Sequence, residues 1–463
     1  ARLRSGRRSV LLLPLFHSFR SRAPSPQTSG RLGPRRAALA LALCTLGSFP
    51  DPAAAAAPGA PESGVRAEIT LIEAIRLTLA ANPRLQALGW EIRKAEGRTR
   101  QAAVRPNPTM GFDFENFGGT DSEAPGSEAT LSIGQILELG GKRSSRIATA
   151  RSEQQVVSVD LEAGRLDLMG ETASRYLQAL ATERALELSE LEVKAAEEAV
   201  STTSLRVTAG ASHPVERRRA EVELANVKLE QAVLRADAEV ARSRLSSMWG
   251  EPEPRFLRLL GAMEDPPAPP PLDSLTARIQ SSPLLRRWVA ERSAREQRLK
   301  LEHARSRPDL NAQVGLRRFQ ETSGSALIAG VSLPLPIFDR NRGAIDEAAA
   351  ALAQVPHSES AARVEMRLAL AESHVALRSA RSKLDALRRD VLPGAERALE
   401  EMRVGFDRGR FTYLDFLEAR RTWLRARHEE LQTLLQANLA LAQIERLLGT
   451  PINPSSNPEG GRE

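Results

Sequence analysis

The sequence predicts a mainly α-helical protein with a membrane β-barrel portion, in which each chain contributes long coiled-coil helices and four β-strands. Three observations predict this fold. One unit occurs twice at an offset of about 200 residues, each copy contains a long helical segment, and each copy contains two short segments of alternating apolar and polar residues. The composition, 41% hydrophobic but only 4% aromatic, favours long helices over the compact core of an enzyme.

Residues 1–64 are predicted to be a signal peptide and a disordered leader. Arg35 and Arg36 precede the apolar run AALALALCTLG, and a segment rich in small residues follows. This order of charged, apolar and small residues is typical of a secretory signal. The single cysteine, Cys44, lies in the apolar run, so no disulfide within the chain is predicted. A partial likeness to a lipidation motif leaves lipidation of Cys44 open.

The charge distribution argues against nucleic acid as a partner. The formal net charge is +7, but nine arginines lie within residues 1–36, and from residue 65 onward acidic and basic residues are equal in number. A chain with this balance lacks the net positive charge that releases counterions from phosphates.

Two structural repeats organise the chain after the leader. Pro108 is matched by Pro308, and Gly210 by Gly409. Each repeat contains, in order, a helix, a β-hairpin and two long helices. The predicted boundaries are the first repeat at 65–263, a proline-rich linker at 264–273, the second repeat at 274–450 and a disordered tail at 451–463. The linker is predicted to be extended, because proline cannot lie inside a helix without removing a hydrogen bond.

Each repeat contains a predicted hairpin with period two. In the first strand, Met110, Phe112 and Phe114 alternate with Asp113 and Glu115, so the two carboxylates share a polar face that is predicted to line a wet lumen. The other strands alternate in the same way, with apolar residues at Leu131, Ile133, Leu137 and Leu139, at Leu310, Ala312, Val314 and Leu316, and at Leu327, Ala329, Val331 and Leu333. A half-buried sheet in a soluble protein would show the same alternation.

The long helices distinguish between these two interpretations. Residues 143–208 contain no proline and predict one helix of roughly 65 residues, on the order of 100 Å long. The matching segment 343–408 contains Pro356 and Pro393, which predict kinks or a local break. Leucines farther on recur with the seven-residue spacing of a coiled-coil seam, at Leu417, Leu424 and Leu431 and at Leu434, Leu441 and Leu448.

Four strands cannot close a barrel, since about eight are the fewest whose interior can be filled. An open sheet with an apolar face would expose two edges to aggregation. Three copies would supply twelve strands. The sequence therefore predicts a homotrimer in which a 12-stranded barrel continues into a ring of long helices.

Several segments resemble the TolC-like outer membrane factor family, over essentially residues 68–450. They are ANPRLQAL near the first helix, the segment that begins GRFTYLDFLEAR at Gly409, and the paired turns Ala209-Gly210 and Arg408-Gly409. Residues 106–119, 134–143 and 333–343 are similar to segments of the CzcC-like heavy-metal efflux branch.

The resemblance implies a passive duct in the cell outer membrane that extends into the periplasm and exports heavy-metal cations of the cobalt, zinc and cadmium type. It implies contact with outer membrane lipid, a periplasmic membrane fusion (adaptor) protein and an inner-membrane RND transporter. A multidrug or copper/silver duct of the same family, and a periplasmic coiled-coil adaptor or scaffold, stay open as alternatives.

The residues themselves predict no catalytic, cofactor or metal site. Six histidines are scattered without short spacing, whereas a structural zinc site needs about four converging ligands. The sequence also lacks a glycine loop suited to phosphates or dinucleotides. The chain is therefore predicted not to be an enzyme.

Two turns are predicted to form the periplasmic tips. Gly210 with Ala211 and Gly409 with Arg410 lie between the long helices, where a glycine can end a helix in the left-handed conformation. The family resemblance implies that both turns contact the adaptor.

Asp415 and Glu418 are predicted to form a periplasmic gate. They share one helix face just after the second turn, and YLDFLEAR resembles the segment that carries gate aspartates in the family. A trimer would then place six carboxylates around one axis, where they would concentrate cations. The alternative is a capping box formed by Thr412 and Asp415.

Overall fold

The computed structural model describes residues 66–116, 127–261 and 263–452. The predicted leader, including Cys44, and all but the first two residues of the predicted tail lie outside these ranges.

The elements follow the predicted order of helix, hairpin and long helices in both repeats. The first repeat contains β1 (Arg66–Ile69), α1 (Leu71–Ala81), α2 (Pro83–Ala102), β2 (Thr109–Glu115), β3 (Glu128–Leu137), α3 (Lys142–Thr208), α4 (Pro214–Ser246) and β4 (Phe256–Leu259). The second contains α5 (Leu272–Ile279), α6 (Pro283–Arg305), β5 (Leu310–Phe319), β6 (Ser325–Ser332), α7 (Arg342–Ala386), a π-helical segment (Leu387–Val391), α8 (Leu392–Asp407) and α9 (Tyr413–Leu448).

Equivalent joints hold the helix starts in the two repeats. The Asn82 side-chain amide donates to the Met248 carbonyl at 2.6 Å, and the Ser282 hydroxyl donates to the Leu447 carbonyl at 2.7 Å. Asn82 and Ser282 also cap α2 and α6, each of which begins with proline. This arrangement uses the preorganised dihedral angle of proline at the first helical position. Each joint adjoins one buried core, the first centred on α1 and α3 and the second on α5, α7 and α9.

The two hairpins join into one antiparallel sheet with the order β2-β3-β5-β6. Phe112 lies opposite Leu131, Leu131 opposite Leu316, and Leu316 opposite Leu327. This register confirms the predicted alternation, because it brings the apolar residues of all four strands onto one face. These large apolar side chains are exposed in the single chain.

The long helix of the first repeat is confirmed as α3, with 67 residues. The prediction for the second repeat was partly wrong. Helix α7 continues through Pro356, and the interruption occurs at the π-helical segment just before Pro393. Local π geometry can absorb the backbone hydrogen bond that proline cannot donate.

The linker is shorter than predicted. Residues 264–271 are not helical, but Leu272 and Asp273 already belong to α5. Pro271 stands immediately before this helix, where its missing N–H costs nothing. Among the described residues, no helix has both the length and the apolarity needed to cross a membrane.

Candidate functional site

Both predicted tip turns end a long helix with a glycine in the left-handed conformation. Gly210 has φ 70° and Gly409 has φ 72°. The Ala211 N–H donates to the Arg206 carbonyl, and the Arg410 N–H donates to the Gly405 carbonyl, both at 2.8 Å. This is the Schellman arrangement, which satisfies the last carbonyls of a helix.

A single side chain, Arg206, brings the two turns together. Its guanidinium donates to the Phe406 carbonyl and lies 4.6 Å from the centroid of the Phe406 ring. The Arg206 Nε donates to the Ser212 hydroxyl at 3.2 Å. Arg206 lies in the last turn of α3, just before the first tip turn, and Phe406 lies in the last turn of α8, just before the second. The two tips therefore form one continuous surface.

An apolar cluster stabilises this end of the hairpins. Phe406 stacks on Phe416 with ring centroids 5.5 Å apart, and Tyr413 lies 6.0 Å from Phe406. Gly405 is required here, because a Cβ at this position would lie 2.1 Å from the Phe411 ring. Aromatic packing therefore stabilises this tip in addition to the hydrogen bonds of its turn.

Asp415 forms the predicted alternative, a capping box. Its carboxylate accepts from the Thr412 N–H at 2.9 Å and from the Thr412 hydroxyl at 2.7 Å, while the Asp415 N–H donates back to that hydroxyl at 3.3 Å. The hydrogen bond from the Thr412 side chain, followed by that from its backbone, holds the pKa of Asp415 below its usual range. The carboxylate thus favours its ionised form at the start of α9.

Glu418 lies one turn later and is exposed. Tyr413, Leu417 and Arg420 are the buried residues of this part of α9, and at 100° per residue Asp415 and Glu418 fall on the opposite face. The predicted gate residues therefore point away from the helix packing within the chain. Their role as a gate remains a prediction.

A buried polar cluster lies behind these residues. Arg420 is 5% exposed and Glu192 is 6% exposed, and Arg420 donates to the Glu192 carbonyl at 2.5 Å. Burial raises the pKa of the Glu192 carboxyl, which lies 3.9 Å from the His428 Nδ1. Burial also lowers the pKa of Arg420. This cluster ties α9 to the C-terminal half of α3 through buried polar groups, whose hydrogen bonds are stronger than they would be in water.

Asp113 and Glu115 lie at the opposite end of α3, on the polar face of the sheet. Arg317 of β5 lies 3.4 Å from the Glu115 carboxylate and 2.8 Å from the Glu128 carboxylate, and it donates to the Thr130 hydroxyl at 3.0 Å. With 67 residues, α3 separates this face from the tip by on the order of 100 Å. The structure therefore does not bring these carboxylates near Asp415 and Glu418.

Besides His428, two histidines have structural contacts. His213 caps α4 by accepting from the Val215 N–H at 3.2 Å, and the His374 Nε2 lies 3.0 Å from the Pro270 carbonyl. In the ranges that the structure describes, no group of three or more His, Cys, Asp or Glu side chains could hold a metal ion.

Sequence reasoning missed Arg206, Arg317 and Arg420. The repeat carried a signal for the first of them. Since Gly210 matches Gly409, Arg206 matches Gly405, and the exchange of an arginine for a glycine at the tip marks a contact between the repeats. Nothing comparable marked Arg317 or Arg420, because their partners lie on distant elements.

An open sheet with an apolar outer face, joined to long helices of which α3 is on the order of 100 Å long, defines the class of ducts that start in the outer membrane and extend into the periplasm. The chain belongs to the outer membrane efflux protein family, whose sequence model matches residues 74–251 and 276–450.

Individual relatives agree with this assignment. The chain is 32% identical to the cobalt-zinc-cadmium resistance protein CzcC of Cupriavidus metallidurans, over 82% of this chain and 90% of CzcC. It is 26% identical to the nickel-cobalt-cadmium resistance protein NccC of Alcaligenes xylosoxydans, over 67% and 69% of the two chains. In fold it is similar to the outer membrane protein VceC of Vibrio cholerae, with a TM-score of 0.66 and 18% identity over 83% of this chain and 97% of VceC.

Proposed function

We propose that this protein is the outer membrane duct of a tripartite export system for divalent heavy-metal cations, and that three copies close one channel. The observation that carries the proposal is the sheet, which has open edges at β2 and β6 and an apolar face on all four strands. An unpaired backbone group costs several kcal/mol in lipid, so other copies must cover these edges. Three four-stranded sheets supply twelve strands, an even number as in bacterial barrels.

The polar face of the sheet supplies the lumen. Asp113 and Glu115 would line it together with Arg317, which forms an ion pair with Glu115. Among the described residues, none forms an ion pair with Asp113. At the other end, Asp415 and Glu418 lie on the face of α9 that is turned away from the protein interior. Rings of acidic side chains in a narrow pore favour cations over anions.

The cargo class rests on similarity to CzcC, whose name assigns it to cobalt, zinc and cadmium resistance. The test is complementation of a strain that lacks its own heavy-metal duct but retains the adaptor and the RND transporter. We expect the chain to restore tolerance to zinc, cobalt and cadmium, with copper, silver and a hydrophobic drug as comparison cargoes. Tolerance restored only to the comparison cargoes would overturn the cargo assignment and leave the duct intact.

The partner contact rests on the tip surface. Ala211 and Arg410 are exposed at turns that Arg206 joins into one surface, and a rigid surface loses little entropy when a partner docks. Cysteines at Ala211 and Arg410 should cross-link to the periplasmic adaptor, and a cysteine at exposed Ala350 should not. Cross-linking in native membranes should also give a trimer. Bands for monomer or dimer alone would refute closure by three copies.

A further inference from the structure

The segment Leu333–Phe338, between β6 and α7, exposes an unusual amount of apolar surface. Leu335 is 71% exposed, Ile337 60% and Phe338 99%. Phe338 is the most exposed of the large apolar side chains in the part of the chain that the structure describes. A contiguous apolar surface of this kind marks a contact with a membrane or a partner.

Polar contacts on the helix side hold the segment in place and leave its apolar side chains free. The Ile337 N–H donates to the Leu335 carbonyl at 2.9 Å, which makes a γ-turn centred on Pro336. After the turn, the Asn341 side chain donates to the Glu302 carbonyl of α6 at 2.8 Å. These hydrogen bonds therefore fix the backbone on either side of Phe338 while its side chain stays exposed.

The segment continues the apolar face of the sheet. In β6 the apolar side chains of that face run from Leu327 to Val331, and Leu333 and Leu335 extend the same alternation. A strand tilted by about 40° rises roughly 2.5 Å per residue along the membrane normal. The apolar side chains of β6, from Leu327 to Val331, therefore span about 10 Å. Extension to Leu335, where the γ-turn begins, gives about 20 Å, close to the height of about 25 Å of the apolar band in outer membrane barrels.

Basic side chains follow the apolar segment directly. Arg340 and Arg342 are exposed. Within the described ranges, the polar side-chain contact that they make is a hydrogen bond from the Arg340 Nε to the Pro336 carbonyl at 3.3 Å. Asp339 lies between Phe338 and Arg340, but its carboxylate accepts from the Asn341 N–H at 2.9 Å. Arginine binds phosphate oxygens through two N–H groups at once. This order of apolar and then basic groups matches the acyl chains and headgroups of one leaflet.

We propose that Leu333–Phe338 is an anchor in the periplasmic leaflet of the outer membrane, with Leu335, Ile337 and Phe338 among the acyl chains and Arg340 and Arg342 on the phosphates of phospholipids. The proposal rests on the proposed function, which places the apolar face of the sheet in lipid. The anchor sets the depth at which the strands end and the helical part begins.

The test uses spin labels on single cysteines in a Cys44→Ser background, since Cys44 is the only cysteine. Phe338→Cys is compared with Leu327→Cys on the apolar face of β6 and with Ala350→Cys on an exposed part of α7. Each protein is reconstituted into vesicles of phosphatidylethanolamine and phosphatidylglycerol. Collision with oxygen, which concentrates in lipid, is then compared with collision with a water-soluble nickel chelate.

The labels at positions 338 and 327 should collide mainly with oxygen, and the label at 350 mainly with the nickel chelate. If the label at 327 is in lipid and the label at 338 is in water, the anchor proposal is wrong, but the proposed function as an outer membrane duct is not contradicted. If the label at 338 is shielded from both reagents, a second copy covers the segment and the lipid assignment is again wrong. If the label at 327 also reports water, the proposed function itself fails.

Discussion

Arg206 and Phe406 join the two helical hairpins at their tips, through a hydrogen bond from the guanidinium to the Phe406 carbonyl and through contact of the guanidinium with the Phe406 ring at 4.6 Å. One residue belongs to each repeat. The two hairpins can therefore separate at this end only if this contact breaks.

Replacing Arg206 with Ala should loosen the tips. The lost hydrogen bond and cation–π contact are worth about 1 to 3 kcal/mol together. Spin labels at Ala211 and Arg410 should show a broader and longer distance distribution than in the parent. Arg218→Ala is the matched control, because Arg218 is an exposed arginine of α4 whose ion-pair partner among the described residues, Glu221, lies on the same helix. Equal broadening in both variants would show that the contact of Arg206 with Phe406 does not hold the two tips together.

Replacing Asp415 and Glu418 together with Ala should raise single-channel conductance in planar bilayers and weaken block by divalent cations, because it removes the acidic ring. The control is Glu216→Ala, since Glu216 is the first-turn acid at the matching place in α4. If conductance and block stay as in the parent while thermal stability falls, the capping box explains the residues completely.

Asp415→Ala alone should lower the thermal midpoint at neutral pH, because Thr412 stabilises the ionised carboxylate. The pKa of Asp415 is lowered in the folded state, so its contribution is present above the usual carboxyl pKa and is lost as pH falls through the lowered value. The difference between variant and parent should therefore shrink in acid. A difference that is independent of pH would contradict the charge-assisted cap.

Replacing Arg388 with Ala should speed hydrogen exchange in the π-helical segment Leu387–Val391 and in the linker at 264–271. Arg388 donates to both oxygens of Asp265 at 2.5 and 2.6 Å and to Glu430 of α9 at 2.7 Å, so it ties three segments together. Arg389→Ala is the control, because the ion-pair partner of Arg389 among the described residues is its neighbour Asp390. Unchanged exchange in the Arg388 variant would show that proline and π geometry alone hold this region.

Glu445→Gln should remove a pH dependence of stability. Burial raises the pKa of the Glu445 carboxyl to about 7, from 4.5, so the folded state holds a proton that the unfolded state has lost. Stability should therefore fall as pH rises from about 4.5 to about 7, by on the order of 3 kcal/mol. Thermal midpoints across this range should be flatter in the variant, and the exposed Glu401→Gln should behave as the parent. The same slope in both variants would place the titrating group elsewhere.

Local chemistry allowed the sequence to determine much of the architecture. The absence of proline from 143–208 was enough to predict α3, and alternation was enough to predict which face of each strand is apolar. Gly210 and Gly409 identified the turns, because the left-handed conformation that ends a helix favours glycine. The three-residue spacing of Thr412 and Asp415 likewise predicted the capping box that the structure shows.

Only the tertiary structure decided which distant groups meet. Arg206 and Phe406 are far apart in sequence, and Arg317, Arg388 and Glu445 become functional or stabilising candidates only through partners on other elements. The same is true of exposure, because the apolar residues around Phe338 are equally compatible with a buried segment, and only the structure shows that the Phe338 side chain is exposed. Local periodicity specifies the faces and ends of helices and strands, whereas contacts and burial depend on how the two repeats pack against each other.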